Sequence, residues 1–171
     1  LTVVETMDAV HDGSVTGMYV EGENPAMSDP DLHHARGALA KLQHLVVQDL
    51  YVTETAMYAD VVLPASAWPE KDGTASNTNR TVQMGRQAVN PPGDARQDWW
   101  IIQELANRMG LNWTYTHPKD VFAEMKQAMP SLNNLTWERL EREHSVTYPC
   151  PAEDHPGNDI VFTDSFPIEG G

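Results

Sequence analysis

The sequence contains a single cysteine, Cys150, among its 171 residues. One thiol forms neither an intramolecular disulfide nor a thiolate metal site, so a disulfide scaffold is excluded. The chain fits a reducing compartment or is indifferent to redox state. The chain has seven histidines but no HxH or HExxH spacing. His33 and His34 are adjacent, and neighbours on a helix point about 100° apart, which does not suit one shared ion. We expect no metal site in this chain.

Basic residues are also scarce: 11 stand against 25 acidic ones, for a net charge of −14. A surface with this balance repels a phosphate backbone, so we expect no nucleic-acid partner. No apolar run approaches the roughly 20 residues that a membrane span requires, and we expect no membrane partner. Residues 1–10 lack the basic start of a signal peptide. No GxSxG elbow is present either, which argues against a serine hydrolase.

What the chain does contain is a regular alternation of apolar strands and helices. The pattern predicts an α/β fold, a three-layer (αβα) Rossmann-like domain with a mostly parallel sheet. We expect one such domain over residues 1–147, followed by an extended tail over residues 148–171. The predicted helices are residues 2–13, 30–42, 53–59, 99–110, 117–130 and 135–144. Asp29 is the predicted cap of the second helix. The fourth has a predicted buried face of Ile102, Leu105, Ala106 and Met109, and Gly110 is its predicted stop. The predicted strands are residues 16–22, 44–50 and 60–64, an edge strand at 80–89 and a brief strand at 159–163 in the tail.

Polar residues follow the ends of the first three predicted strands. Gly22, Glu23 and Asn24 follow the first strand, and Gln48 and Asp49 end the second. The third leads into the polar stretch 70–80, which is costly to order unless a ligand holds it. In open parallel sheets, ligands bind outside the carboxyl ends of the strands, so these residues predict a binding site for a phosphate-bearing, purine-containing cofactor.

Individual side chains suit the parts of such a ligand. Asp49 could accept hydrogen bonds from ribose hydroxyls, and Gly22 would let backbone amides approach a pyrophosphate. Lys71 is a mobile charge suited to a phosphate or a base carbonyl. Asp98 could accept two hydrogen bonds from the Watson–Crick edge of guanine. The alternative interpretation is that these residues are helix caps, solvated turn residues or surface ion pairs.

Three segments of the sequence together resemble the molybdopterin oxidoreductase family. They are "YVEGENPAMSDPD" at residues 19–31, the stretch 45–80, and "GDARQDWWIIQELANRMG" at residues 93–110. Within the family, the closest likeness is to the catalytic (alpha) subunits of formate dehydrogenases, and residues 137–167 resemble the same subunit. The resemblance implies an α/β domain that holds one molybdopterin guanine dinucleotide of a bis-pterin molybdenum or tungsten centre.

The resemblance assigns cofactor contacts to particular positions of this chain. The implied contacts are Glu23 or Asn24, together with Gln48, Asp49, Lys71 and Asp98, while Gly73, Asn77 and Arg80 are expected only to line the site. Gly22, nominated above by its chemistry, completes the predicted cofactor-binding set. Where the family usually has an aromatic residue and an acid in this stretch, Ala75 and Asn79 stand instead.

The family's catalytic apparatus has no counterpart in these residues. Its cysteine or selenocysteine metal ligand, adjacent histidine, substrate arginine, iron–sulfur cysteines and C-terminal cap domain are not found here. The resemblance therefore implies no catalytic residue and no activity in this piece. Because the chain begins with Leu1 and ends in "PIEGG", we expect a domain excised from a larger protein.

The resemblance also implies an activity and partners for the parent protein. That protein would oxidise formate to carbon dioxide in the cytoplasm and pass electrons through iron–sulfur clusters to NAD. Its partners would be the other domains of the same subunit and the iron–sulfur and NAD-binding subunits. Two alternatives stay open: another molybdopterin oxidoreductase, such as a nitrate reductase, and a non-catalytic interaction module of the same fold.

Overall fold

A computed structural model of the chain describes residues 1–166 and 168, so part of the predicted tail, residues 167 and 169–171, lies outside the described residues. The chain divides into two compact units. The first comprises Leu1–Ala67 and Pro91–Asp98, and the second comprises Trp68–Asn90 and the chain from Trp99 onward. The domain boundary expected at residue 147 stays a prediction.

The first unit is built on a parallel sheet of three strands. These are β1 (Gly17–Glu21), β2 (His44–Asp49) and β3 (Val61–Pro64), in the spatial order β1-β2-β3. Both neighbouring pairs are parallel, with Glu21 opposite Gln48 in the register. The three predicted strands and the α/β class with its parallel sheet are confirmed.

Helices α1 (Val3–His11), α2 (Pro25–Ser28) and α3 (Leu32–Leu39) complete the first unit. A capping box explains the start of α1, because Thr2 and Glu5 each satisfy the other's backbone N–H. The start predicted for α3, with Asp29 as its cap, is wrong. Asp31 caps α3 by accepting a hydrogen bond from the backbone of His34 at 3.0 Å, and Asp29 instead follows the short helix α2.

Alternation along β1 and β2 separates an apolar face from a polar one. Val20, Leu45 and Val47 are buried in one core with Met7 and Val10 of α1. Because successive side chains of a strand point to opposite faces, the intervening side chains of β1 and β2 lie on the other face. That second face carries Tyr19, Glu21 and Gln48, whereas alternation sets Asp49 on the face of Leu45 and Val47.

The helix in the crossover between β2 and β3 is shorter than predicted. Residues 53–59 were expected to form about two turns of helix, but only Ala56–Tyr58 form a single 3-10 turn. Thr55, just before this turn, is fully buried and donates its backbone N–H to a distant side chain. In a helix over residues 53–59 this N–H would belong to the first turn and have no intrahelical acceptor, and the tertiary contact satisfies it.

The second unit contains an antiparallel sheet that the sequence pattern revealed only in part. Its strands are β4 (Gly73–Ser76), β5 (Thr81–Gly85) and β6 (Ser145–Thr147), in the order β4-β5-β6. The stretch 80–89, predicted as an edge strand, contains the central strand of this sheet. Residues 159–163, predicted as a strand, are not one in the structure.

Three helices accompany this sheet: α4 (Asp98–Arg108), α5 (Pro118–Ala128) and α6 (Trp137–Glu143), and each corresponds to a stretch predicted as a helix. The predicted buried face of α4 is partly wrong. Ala106 is buried as expected, but Ile101 is buried rather than Ile102, and Met109 is 85% exposed. Gly110 ends the helix with φ of 96°, as its sequence position indicated. No helix among residues 1–166 has the length and apolar character needed to cross a membrane.

A buried guanidinium holds the chain that follows α6. Arg139 donates to the sulfur of Cys150 at 3.1 Å, to the His155 carbonyl at 2.7 Å and to the Glu143 carboxylate at 2.9 Å. The Cys150 thiol in turn donates to the His155 carbonyl at 2.9 Å. Cys150 is itself buried, so its thiol is part of the packed and hydrogen-bonded interior of this unit.

We predict that Arg139→Met lowers the free energy of unfolding by about 3 kcal/mol, because it leaves buried acceptors without their charged donor. Urea denaturation of the purified chain measures this. Glu143→Gln is the matched control and should cost far less, since the Glu143 side chain is 36% exposed. Equal losses in the two variants would contradict a role for the buried contacts.

Candidate functional site

The carboxyl ends of β1, β2 and β3 meet at one edge of the parallel sheet, because all three strands run the same way. Gly22 follows β1 with φ of 63°, a conformation that favours glycine. A Cβ at this position would meet no atom within 4 Å, so the turn faces open space. The Gly22 N–H itself donates to the Gln48 carbonyl at 2.9 Å and is therefore already engaged.

Gln48 is the centre of a hydrogen-bonded cluster at this edge. Its side chain is fully buried, and its Nε2 donates to Asp98 Oδ1 at 2.8 Å and to Glu21 Oε1 at 3.2 Å. Its Oε1 accepts a hydrogen bond from the Tyr19 hydroxyl. We refer to Tyr19, Glu21, Gln48 and Asp98 as the Gln48 cluster.

The geometry of β1 and β2 explains why these side chains meet. Glu21 lies directly opposite Gln48, and Tyr19 is two residues back along β1, on the same face. Asp98 is the first residue of α4. Burial raises the pKa of the Tyr19 hydroxyl, and the charges of Glu21 and Asp98 raise it further, so Tyr19 keeps its proton and remains a donor.

Asn24 connects the turn after β1 to the crossover after β2. Its Oδ1 accepts from the Thr55 backbone N–H at 3.0 Å and from the Thr55 hydroxyl at 2.8 Å. Its Nδ2 donates to Glu54 Oε2 at 2.7 Å, and this hydrogen bond is the main cause of the lowered pKa of Glu54. The Asn24 side chain therefore orders the edge of the site.

Glu23 and Asp49 have fewer contacts than their neighbours. Glu23 is exposed and lines a cavity of about 500 Å³ beside β1 and between α1 and α2. Asp49 is half-buried at the end of β2, and its Oδ1 accepts from the Leu50 backbone N–H at 2.6 Å. That contact is typical of a solvated turn residue, which is the alternative interpretation given above. The Asp49 carboxylate has further lone pairs that can accept hydrogen bonds.

The other four predicted residues lie in the second unit. The Lys71 ammonium is 5.6 Å from the centroid of the Trp68 ring. Gly73 begins β4, opposite Gly85 of β5. The polar stretch after β3 is therefore ordered in part by an antiparallel hairpin, which corrects the expectation that a ligand alone would order it.

Asn77 and Arg80 form the turn of that hairpin. The Asn77 N–H donates to the Thr81 carbonyl, and the Arg80 N–H donates to the Asn77 carbonyl, both at 2.9 Å. Arg80 has φ of 65°. Its guanidinium donates to the carbonyls of Tyr148, Asn158 and Asp159 at 2.7–3.0 Å. In this structure the Arg80 side chain thus holds the segment after β6.

Of the predicted site residues, the structure brings Gln48 and Asp98 into direct contact. Gly22 and Asn24 follow β1, the strand beside Gln48. The sequence analysis did not single out Tyr19, Glu21 or Thr55. A partial signal for the first two was present, because period-two spacing puts both on one face of β1, opposite the buried Val20; that Gln48 shares this face follows only from the register. Within residues 1–166 no group of three or more His, Cys, Asp or Glu residues is arranged to hold a metal ion.

Comparison with known proteins identifies the family. The sequence profile described as molybdopterin oxidoreductase matches residues 1–108. The chain belongs to the molybdopterin oxidoreductase family. Over its whole length it is 44% identical to the F420-dependent formate dehydrogenase subunit alpha of Methanocaldococcus jannaschii. It is 46% identical, over 85% of its length, to the putative formate dehydrogenase YrhE of Bacillus subtilis.

The chain spans only 25% of the length of the first of these relatives and 15% of the second. A similar solved structure is that of acetylene hydratase from Pelobacter acetylenicus. It matches 83% of this chain and 20% of its own, with a TM-score of 0.66 and 24% identity. At that identity the likeness supports the fold, and the fold expected for this family is present here.

We predict that Asn24→Ala raises the pKa of Glu54 toward its ordinary value, because the main cause of its lowering is gone. The free energy of unfolding should fall by about 1–2 kcal/mol, since the buried Thr55 donors lose their acceptor. Carbon-detected NMR titration of the Glu54 carboxyl and urea denaturation measure the two effects.

Asn24→Asp is the matched control. It keeps an acceptor for Thr55 but places a second carboxylate beside Glu54, so its instability should appear above about pH 5 and diminish on acidification, when one carboxylate takes a proton. A pH-independent loss in this variant would contradict the assigned contacts.

Proposed function

We propose that this chain is the cofactor-binding domain of a formate dehydrogenase alpha subunit, where it holds one molybdopterin guanine dinucleotide of a bis-pterin molybdenum or tungsten centre. The observation that carries the proposal is the Asp98 carboxylate, held by Gln48 at the carboxyl edge of a parallel sheet in a chain of this family. The high identity to relatives named as formate dehydrogenases supports the choice of parent enzyme.

The residues of the first unit fit a guanine nucleotide. Guanine has two adjacent N–H donors on its Watson–Crick edge, and a carboxylate offers about four lone-pair sites on two oxygens. Asp98 can therefore accept from Gln48 and from the base together. The open space at Gly22 leaves room for a ligand to approach the backbone. Glu23 and Asp49 offer acceptors for ribose hydroxyls at the neighbouring strand ends.

The contribution of this chain is binding and orientation. When bound, the pterin-held metal supplies the redox chemistry, and the family's catalytic groups would come from other parts of the parent subunit. We further propose that the parent acts in the cytoplasm, oxidises formate and passes electrons through iron–sulfur clusters to NAD. The relative from Methanocaldococcus jannaschii is named for F420, so the electron acceptor is the least constrained part of this proposal.

Titration of the chain with GMP and with AMP, followed by NMR or calorimetry, tests the nucleotide assignment. GMP should bind at least tenfold more tightly than AMP, which presents an acceptor where guanine has N1–H. Asp98→Asn should remove this preference, because an amide nitrogen would then face the donors of the base. Asp94→Asn is the matched control: Asp94 is an exposed acid in the same unit and should leave GMP binding unchanged. Equal affinity for GMP and AMP in the unaltered chain would refute guanine recognition.

We also expect the 171-residue chain to oxidise no formate, even when supplied with cofactor and metal. A redox-dye assay measures this, with a full-length formate dehydrogenase as the positive control. Turnover above the rate of the free cofactor would mean that the chain itself holds catalytic groups. It would contradict the proposal that this chain only binds and orients the cofactor.

A further inference from the structure

The Gln48 amide has no donor left for a ligand. A side-chain amide has two N–H donors, and in this structure Nε2 serves two carboxylates, Asp98 at 2.8 Å and Glu21 at 3.2 Å. The orientation of the amide is also fixed by chemistry. Ionised carboxylates only accept, so the nitrogen must face them, and the oxygen then faces the Tyr19 hydroxyl.

Because both of its N–H groups are engaged, the Gln48 side chain does not donate directly to the cofactor. We propose that Gln48 is a positioning residue: it sets the direction of the Asp98 carboxylate and thereby sets the preference of the site for guanine over hypoxanthine. The inference rests on the proposed function, since it concerns recognition of the guanine base. It also gives a role to Tyr19 and Glu21, which the sequence analysis did not single out. Both hold the Gln48 amide and thereby help to orient the Asp98 carboxylate.

The physical reason lies in the two like charges that flank one amide. Glu21 and Asp98 repel each other, and Gln48 offsets this by donating one hydrogen to each. When the amide cannot donate, this repulsion turns the Asp98 carboxylate out of its direction. One of the two acceptors needed for the adjacent N1–H and N2–H donors of guanine is then misaligned.

Tyr19 fixes the amide from the other side. Its hydroxyl donates to Gln48 Oε1, and the raised pKa of this hydroxyl keeps the proton in place at neutral pH. Gln48 is fully buried, so no water replaces these contacts when they are lost. The direction of Asp98 therefore depends on a chain of hydrogen bonds that begins on β1.

GMP and IMP are the probes that isolate this effect, because IMP lacks only the exocyclic amine. The unaltered chain should bind GMP at least tenfold more tightly than IMP. Gln48→Leu should weaken GMP binding to the level of IMP, while IMP binding changes less than threefold, because the single N1–H contact survives. A purely structural role would weaken both nucleotides equally. Thermal unfolding and NMR spectra report whether the variant is folded.

Tyr19→Phe is the second variant, in case Gln48→Leu does not fold. It retains the amide but removes the donor to Oε1, and it should reduce the GMP to IMP ratio about threefold. An unchanged ratio in the folded variants, or an equal loss of both nucleotides, overturns the positioning role while the guanine site stands. Equal affinity of the unaltered chain for GMP and AMP overturns the proposed function, and this inference with it.

Discussion

The organisation of the candidate site depends on one buried amide between two carboxylates. Glu21 and Asp98 are both acids near one edge of the sheet, and a donor between them offsets the repulsion of their charges. Gln48 supplies that donor because the parallel register sets it directly opposite Glu21. A shift of one residue in this register would turn Gln48 toward the apolar core, so the register and the site are specified together.

A second polar contact network orders the same edge. Asn24 binds Thr55 and Glu54 across 30 residues of sequence, and the Thr55 hydroxyl accepts from the Ala26 N–H at 3.0 Å. These contacts join the turn after β1 to the crossover after β2, so the two loops that border the site form one ordered structure. The chain has a net charge of −14, so its overall field would oppose the anionic cofactor that we propose, and binding would depend on local contacts.

Recognition of the family from sequence succeeded because its motifs fall at strand ends with fixed spacing. The roles of individual residues were harder to infer. Arg80 was expected to line the cofactor, which stays a prediction, and the sequence did not indicate that its guanidinium donates to the carbonyls of Tyr148, Asn158 and Asp159. Pairing of β6 with β5 spans more than 60 residues, and no local pattern predicts such a contact. Strand β4 was missed for a different reason: its sequence is short and polar, and it is a strand only because β5 is beside it.

The sequence by itself determined the parallel strands, the principal helices and the set of polar residues at the strand ends. It could do so because apolar periodicity and the order of strands and helices are local properties that largely decide the fold class. Only the tertiary structure decided which of those polar residues contact one another. Hydrogen-bond partners depend on distances of a few ångströms between residues far apart in the chain, so the sequence named Gln48 and Asp98 without indicating that one holds the other.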